Sequence, residues 1–348
     1  MKNAPSRSPY ICVLPRLSES GGGPASFFAR FKAGLQRRGI PVTHDPRDPA
    51  VTAILIIGGT TQLWDVWRAR QRGVRVVQRL NGMNWMHRKR RTPWGAYLRA
   101  ERSNWLLSWI RRNLADHIIY QSEFARGWWQ TVYGKVRARG SVVYNGVDLR
   151  EFSPIGGNTR PSSHYRLLLV EGRIGAGNVE GLSNAVALAQ EMDRLTPRGV
   201  RLQVVGEVDA LTREQFERQS GGILDWAGQA ARGQIPAMDR SAHLLFSADL
   251  NAACPNAVVE ALACGLPVAA FATGALPELI EGDCGRVTPY GSNYWNLEKP
   301  DVPTLARAAM EILADQPRFR AEARRRAEGL FDVEHMLDAY MRVLAPER

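Results

Sequence analysis

Short apolar runs alternate with longer amphipathic stretches along most of this chain, and the alternation stops once and then restarts. That rhythm is the signature of βαβ units and parallel sheets, and the interruption divides it into two such sets. Tyr10 to Leu14 reads as a first strand, Gly21-Gly22-Gly23 as a tight loop, and a helix follows through Phe27, Phe28, Phe31 and Leu35 until Gly39 stops it. Ala53 to Ile57, Val74 to Gln78 and His117 to Tyr120 read as further strands. Phe152 to Ser163 (FSPIGGNTRPSS) is rich in proline, glycine and serine and reads as a linker. The pattern then resumes with strands Arg166 to Val170, Arg201 to Val205, His243 to Phe246 and Val268 to Phe271. Helices are expected at Gly181 to Asp193 and Asn256 to Cys264, with the last ones between Val302 and Leu344. The expected fold class is therefore α/β, with two doubly wound parallel-sheet domains over 1–152 and 164–330, a linker at 153–163, and a C-terminal helix in 331–348 that packs back on the first domain. Open sheets of this kind bind ligands beyond the carboxyl ends of their strands, so a cleft between the halves is the expected site.

Composition narrows the partners. Hydrophobic residues make up 45% of the 348, enough for two buried cores. The longest stretch without charge, Ala261 to Pro277, is broken by Gly265, Pro267 and Gly274 and is too short to span a bilayer. The apolar run after Lys2 and Arg7 is too short for a signal peptide, so the expected location is cytoplasmic, either free or peripheral on the inner face of a membrane. Cys12, Cys254, Cys264 and Cys284 form no metal-spaced pair and read as buried thiols, with no metal expected. Lys and Arg outnumber Asp and Glu by 46 to 34, and the excess is concentrated: Met83 to Arg112 holds eight basic residues against Glu101 alone. Such a chain favours anionic partners.

The stretch NAACPNAVVEALACGLPVAAFATGALPELIEGDCGRV carries chemistry. Pro255-Asn256 sets up a helix start, with Asn256 as N-cap. Unpaired backbone N–H groups there, with the helix dipole, suit a diphosphate. Glu260 lies one turn deeper on the same face, where a carboxylate can accept from sugar hydroxyls, and Gly265 and Pro267 end the helix.

This stretch resembles the nucleotide-sugar-binding segment of family-4 glycosyltransferases, roughly P-x-x-x-x-E-A-x-A-x-G-x-P-V followed by G-x-x-x-E. Pro255, Glu260, Ala261, Ala263, Gly265, Pro267, Val268, Gly274 and Glu278 occupy its positions. Gly21-Gly22-Gly23 is similar to the family's N-terminal glycine loop, SVVYNGVDLREFSP to its N-G-V-D segment, Glu171-Gly172-Arg173 to its G-R, and Asp225 to Gly228 to the loop that backs the nucleotide base. The resemblance implies a GT-B fold and transfer of a sugar, of hexosyl type, from a nucleotide-diphosphate donor with retention at the anomeric carbon, without a resident cofactor or an essential metal. It implies donor contacts from Gly22, Gly23, Arg173, Gly228, Asn256, Ala257 and Glu260, with Arg173 and Glu260 catalytic. A guanidinium can hold the departing diphosphate bidentately.

Three departures stand out. The lysine usually found after the G-R is absent from Gly175-Ala176-Gly177-Asn178, Ala252 occupies the place of a carboxylate, and Asn81 stands near that of a histidine. Arg79 and Asn81 are the candidates for the second phosphate or the acceptor. The departures also leave room for a catalytically impaired homologue.

Eight of the ten tryptophans lie between Trp64 and Trp129. On one helix, Trp94, Leu98, Trp105 and Trp109 form a stripe flanked by Arg102 and Arg112, while Leu106, Leu107, Ile110 and Leu114 face the sheet. Such a stripe suits an anionic membrane surface or an acceptor, whether glycan, lipid-linked or small molecule; core packing is the plain alternative. Two other functions compete. A nicotinamide-dependent oxidoreductase is suggested by Gly21-x-Gly23 and Asp45, although Ser26 stands where the third glycine belongs. A nucleic-acid-binding protein is suggested by the pI of about 10.0, but no nucleic-acid module is legible and none is expected as a partner.

Overall fold

The structure, a computed structural model, describes residues 9–17, 22–175 and 179–346. Lys2, Arg7, Gly21 and residues 176–178 of the lysine-free stretch lie outside them. The chain divides into two compact units, one of residues 1–146 with 333–348, the other of residues 147–332.

The first unit contains β1 (Ile11–Leu14), α1 (Gly22–Arg37), β2 (Val42–Thr43), β3 (Ala53–Ile57), α2 (Leu63–Gln71), β4 (Arg75–Leu80), α3 (Trp94–Asn113), β5 (His117–Tyr120), α4 (Glu123–Tyr133) and β6 (Arg139–Val142). The second contains β7 (Tyr165–Ile174), α5 (Glu180–Arg194), β8 (Val200–Val208), α6 (Ala210–Gln219), β9 (Leu224–Gly228), α7 (Ile235–Ser241), β10 (Leu244–Ser247), α8 (Asn256–Ala263), β11 (Val268–Phe271), α9 (Leu276–Leu279), β12 (Gly285–Thr288), α10 (Val302–Ala314) and α11 (Gln316–Leu330). The last helix, α12 (Val333–Leu344), returns to the first unit.

Each unit holds a six-stranded parallel sheet, in the orders β2-β1-β3-β4-β5-β6 and β12-β11-β10-β7-β8-β9. Helices cover both faces of a parallel sheet, which is why β3 reads AILII and is buried throughout. In the first unit α1 and α12 share one face. Phe27, Phe31 and Leu35 meet Met336, Leu337 and Tyr340 there, with Tyr340 5.2 and 5.4 Å from the two phenyl rings. Gly34 lets them close: a Cβ at that position would lie 2.1 Å from Leu337. Arg37 and Arg38 pair with Glu334 and Asp338 along the rim. The opposite face buries Val66, Ala69, Ile110 and Leu114 from α2 and α3.

The expected linker is packed rather than free. Arg324 donates to the Phe152 and Ala263 carbonyls at 2.8 and 2.7 Å, Arg240 to Ser153 O, and the Asn158 amide to Ala237 O. The division between units falls ahead of this stretch, at Gly146/Val147. Polar side chains of α7 and α11 capture a segment that has no apolar periodicity of its own. β7 also runs past Val170 to Ile174, because a register shift between Val170 and Arg173 lets pairing with β8 resume. Among the described residues, no helix is long and apolar enough to cross a membrane. All four cysteines are buried and none is in a disulfide among the described residues.

Candidate functional site

In the second unit the strand order reverses between β7 and β10: the chain leaves β7 for β8 on one side and reaches β10 on the other. Such a switch point opens a crevice beyond the strand ends. Arg173 stands at the end of β7, and α8 begins a few residues after β10. The N-cap of α8 is Pro255, in extended conformation and with no side-chain cap, so Asn256 is the first helical residue and not the cap expected for it. A proline cannot donate, and its fixed φ starts the helix without a capping side chain. Asn256 and Ala257 are both half-buried at this start. Glu260, one turn deeper, is only 8% exposed. Beneath it lies Asp239 of α7, itself 1% exposed, whose carboxyl is pushed well above the ordinary range by burial and then by the charge of Glu260. Burial and the neighbouring Glu260 charge both favour the neutral form of Asp239.

The helix ends as its sequence suggests. Leu266 N–H donates to Ala261 O and Gly265 N–H to Leu262 O, with Gly265 at φ +66, a complete Schellman motif. The following turn folds back onto the loop before α8. Ala275 N–H donates to Ala252 O at 2.9 Å and the Thr273 hydroxyl to Asp249 O at 3.3 Å. Gly274, at φ +58, is so close that a Cβ would lie 2.7 Å from both Ala252 N and Ala252 O. That contact fixes the position of Asn251, which adopts φ +59, is buried, and has neither amide atom hydrogen-bonded among the described residues. Asn251 was not legible as a site residue; the tolerance of asparagine for left-handed backbone was the only signal.

Arg173 is 77% exposed at its side chain and donates to Glu207 at 3.0 Å across the β7–β8 pairing. Gly228 corrects an expectation: Asp225 to Gly228 is no loop but the end of β9, held to β8 through a register shift and through the Gln203 amide on Asp225.

In the first unit, Gly22 (φ +58) and Gly23 open α1 directly after the β1 loop. Arg79 corrects a second expectation. It is 1% exposed, lies 3.9 Å over the Phe27 ring, and donates to the Asn81 and Asn145 side-chain oxygens at 2.7 and 2.8 Å. Asn81 also receives the Gln121 amide, and its carbonyl the Trp129 indole. Arg79 thus ties strand ends together and is not presented to solvent as a phosphate-binding cation. Burial under α1 removes it from that role.

The tryptophan segment is split. Trp94 and Trp105 are 73% and 61% exposed, and Leu98 and Arg102 are exposed with them. Trp109 leaves the expected stripe and packs with Leu106 on the core under α2 and α3. α2 adds exposed aromatics in its place: Trp64 and Trp67 stack at 4.7 Å, with Arg68 over Trp64. Glu101 anchors the segment before α3, accepting from Arg88 and pairing with His87 at 2.7 Å; the Arg88 contact first, with that of His87, outweighs desolvation and holds its carboxyl down at about 2. No group of three or more His, Cys, Asp or Glu that could hold a metal ion occurs among the described residues.

Two Rossmann-like parallel-sheet units, the second with an uncapped helix start and a buried glutamate at its switch point, define a GT-B architecture. Residues 54–151 match the profile described as Glycosyltransferase Family 4, and residues 166–315 that of Glycosyl transferases group 1. The chain belongs to the family-4 glycosyltransferases. Among its relatives, the D-inositol 3-phosphate glycosyltransferase of Kineococcus radiotolerans is 30% identical over 258 residues, 66% of this chain and 58% of that protein. The protein of the same name from Mycolicibacterium smegmatis is 25% identical over 238 residues, 65% of this chain and 52% of that one. The chain thus spans a little over half the length of these two relatives. The structure of Anabaena HepE in complex with UDP and glucose superposes with a TM-score of 0.70 at 16% identity, covering 97% of this chain and all of that one.

Proposed function

We propose that this protein transfers a sugar, of hexosyl type, from a nucleotide-diphosphate donor to an acceptor, with retention at the anomeric carbon. The observation that carries the reading is the second unit's switch point, where the uncapped start of α8 stands one turn from buried Glu260 and Arg173 ends the adjoining strand. Breaking a glycosyl–phosphate bond puts charge on the departing diphosphate. The α8 dipole and the Arg173 guanidinium are suited to meet it, the latter by exchanging Glu207 for phosphate oxygens. Glu260 accepts from sugar hydroxyls of the donor, and the unpartnered Asn251 amide offers a donor and an acceptor beside Ala252, where the carboxylate is missing.

The oxidoreductase reading is weaker, since Ser26 lies inside α1 where a third glycine would be needed. The acceptor is a glycan, a lipid-linked saccharide or a small molecule, and the names of the two relatives make inositol phosphate the first to try. The exposed Trp64, Trp67, Trp94 and Trp105 among arginines favour a peripheral position on an anionic membrane surface.

Calorimetric titration with UDP, GDP, NAD and a short oligonucleotide tests the reading. A nucleoside diphosphate should bind best, and Arg173→Ala with Glu260→Gln should weaken it about 10- to 100-fold, as loss of charge-assisted contacts demands. Unchanged affinity in the double variant would overturn the proposal, and product formation from a bound donor separates an active enzyme from an impaired homologue.

A further inference from the structure

At the other end of the second sheet lies a cavity of about 720 Å³, walled partly by the proline-rich stretch before β7. Arg160, Arg198, Arg240 and Arg320 line it together with His243 and Tyr165, and no aspartate or glutamate does. None of the four arginines makes an ion pair among the described residues. Three are instead tethered to backbone carbonyls: Arg198 to Pro161 O at 2.9 Å, Arg240 to Ser153 O and Arg320 to Ala242 O, each at 3.2 Å. Arg198 also lies 4.3 Å over the Tyr165 ring. Each tether uses one donor and fixes the fork; the buried Nε–H groups of Arg198 and Arg240 have no acceptor among the described residues. Asp239, whose pKa is pushed well above the ordinary carboxyl range by burial and then by Glu260, is buried and does not line the cavity.

The positive potential registers on its neighbours. His243 accepts the Arg166 backbone N–H on Nδ1, and its pKa is depressed to about 3 by burial first and then by Arg198, Arg160 and Arg320. Arg320 itself is lowered to about 10 by burial and then by the charge of Arg160. Four like charges held together without counter-ions repel one another, and a multiply charged anion would relieve that repulsion while meeting donors already in place. The volume suits a small molecule.

We infer that this cavity is a binding site for a small, multiply charged phosphate-bearing ligand, separate from the donor site. From Tyr165 to Arg173 the strand runs about 26 Å, so one small ligand cannot reach both ends.

Pyrophosphate is the probe. It should bind the intact protein with UDP present at saturation, and Arg160→Glu should weaken that binding roughly tenfold or more, because a charge-assisted contact becomes a repulsion. Arg160 is exposed and makes no hydrogen bond or ion pair among the described residues, so its variant should melt as the wild type does; Arg198→Gln provides a second, independent loss. Arg173→Ala should leave this binding unchanged, which separates the site from the donor reading whatever UDP does. Vesicles of phosphatidylglycerol, but not phosphatidylcholine, displacing pyrophosphate would assign the phosphate to a lipid headgroup; no displacement would assign it to a free metabolite. Absence of pyrophosphate binding, or binding that Arg160→Glu and Arg198→Gln both leave intact, would overturn the inference.

Discussion

Gly274→Ala is the sharpest test of how the donor site is held. At φ +58 an alanine incurs about 1–2 kcal/mol of left-handed strain. Its Cβ would also stand 2.7 Å from Ala252 N and O and 2.8 Å from Asn251 C, all backbone atoms that cannot rotate away. Relief requires the loop to move, and the first casualty is the 2.9 Å bond from Ala275 N–H to Ala252 O, worth about 1 kcal/mol. The sum is about 2–3 kcal/mol, which for a unit of this size lowers the melting temperature by about 5–10 °C. Scanning calorimetry reads the loss, and titration with a nucleoside diphosphate reads its consequence, since Asn251 and the start of α8 ride on the displaced loop. An alanine variant that melts with the wild type and binds the diphosphate equally well would refute the argument that this turn sets the site.

Two further outcomes follow from buried or paired carboxyls. Asp239 has a folded-state pKa raised by burial and by Glu260, so the folded state keeps a proton that the unfolded chain releases; stability is lost as pH rises above the unfolded value near 3.8, and Asp239→Asn should flatten that decline in urea melts taken across pH. Glu101 has the opposite sign: its pKa, lowered to about 2 by Arg88 and His87, adds stability above the unfolded value of 4.5 that disappears as pH falls toward 2. Glu101→Gln should remove about 1–2 kcal/mol near neutrality, after allowing for the exposure of Arg88, and make acid unfolding of the first unit less steep.

How far the fold could be read ahead of the structure follows from where burial acts. Ala53–Ile57 and Val268–Phe271 appear where uninterrupted apolar runs placed them, because a strand covered on both faces has no polar positions to blur its ends. The ends of β7 and β8 were not legible, since Glu171-Gly172-Arg173 is polar and pairs only through a register shift that no local pattern encodes. Arg79 marks the same limit in the site. An arginine at a strand end reads as a surface cation, and only the packing of Phe27 over it, with Asn81 and Asn145 beside it, turns it into a buried tie. Asp239 and Asn251 escaped notice because their roles come from neighbours distant in sequence. The places of Glu260 on α8 and Gly265 just past its end were legible because local helix signals fix both.

The packing of α12 on α1 has a consequence for how the protein is made. Residues up to Gly146 leave the ribosome before the second unit, whereas Leu337 and Tyr340, which fill the space over Gly34, Phe27 and Phe31, leave it only after that unit. The first unit is therefore sealed only after the second has been synthesised, and until α12 emerges its phenylalanines stay uncovered and open to chaperones or to wrong partners.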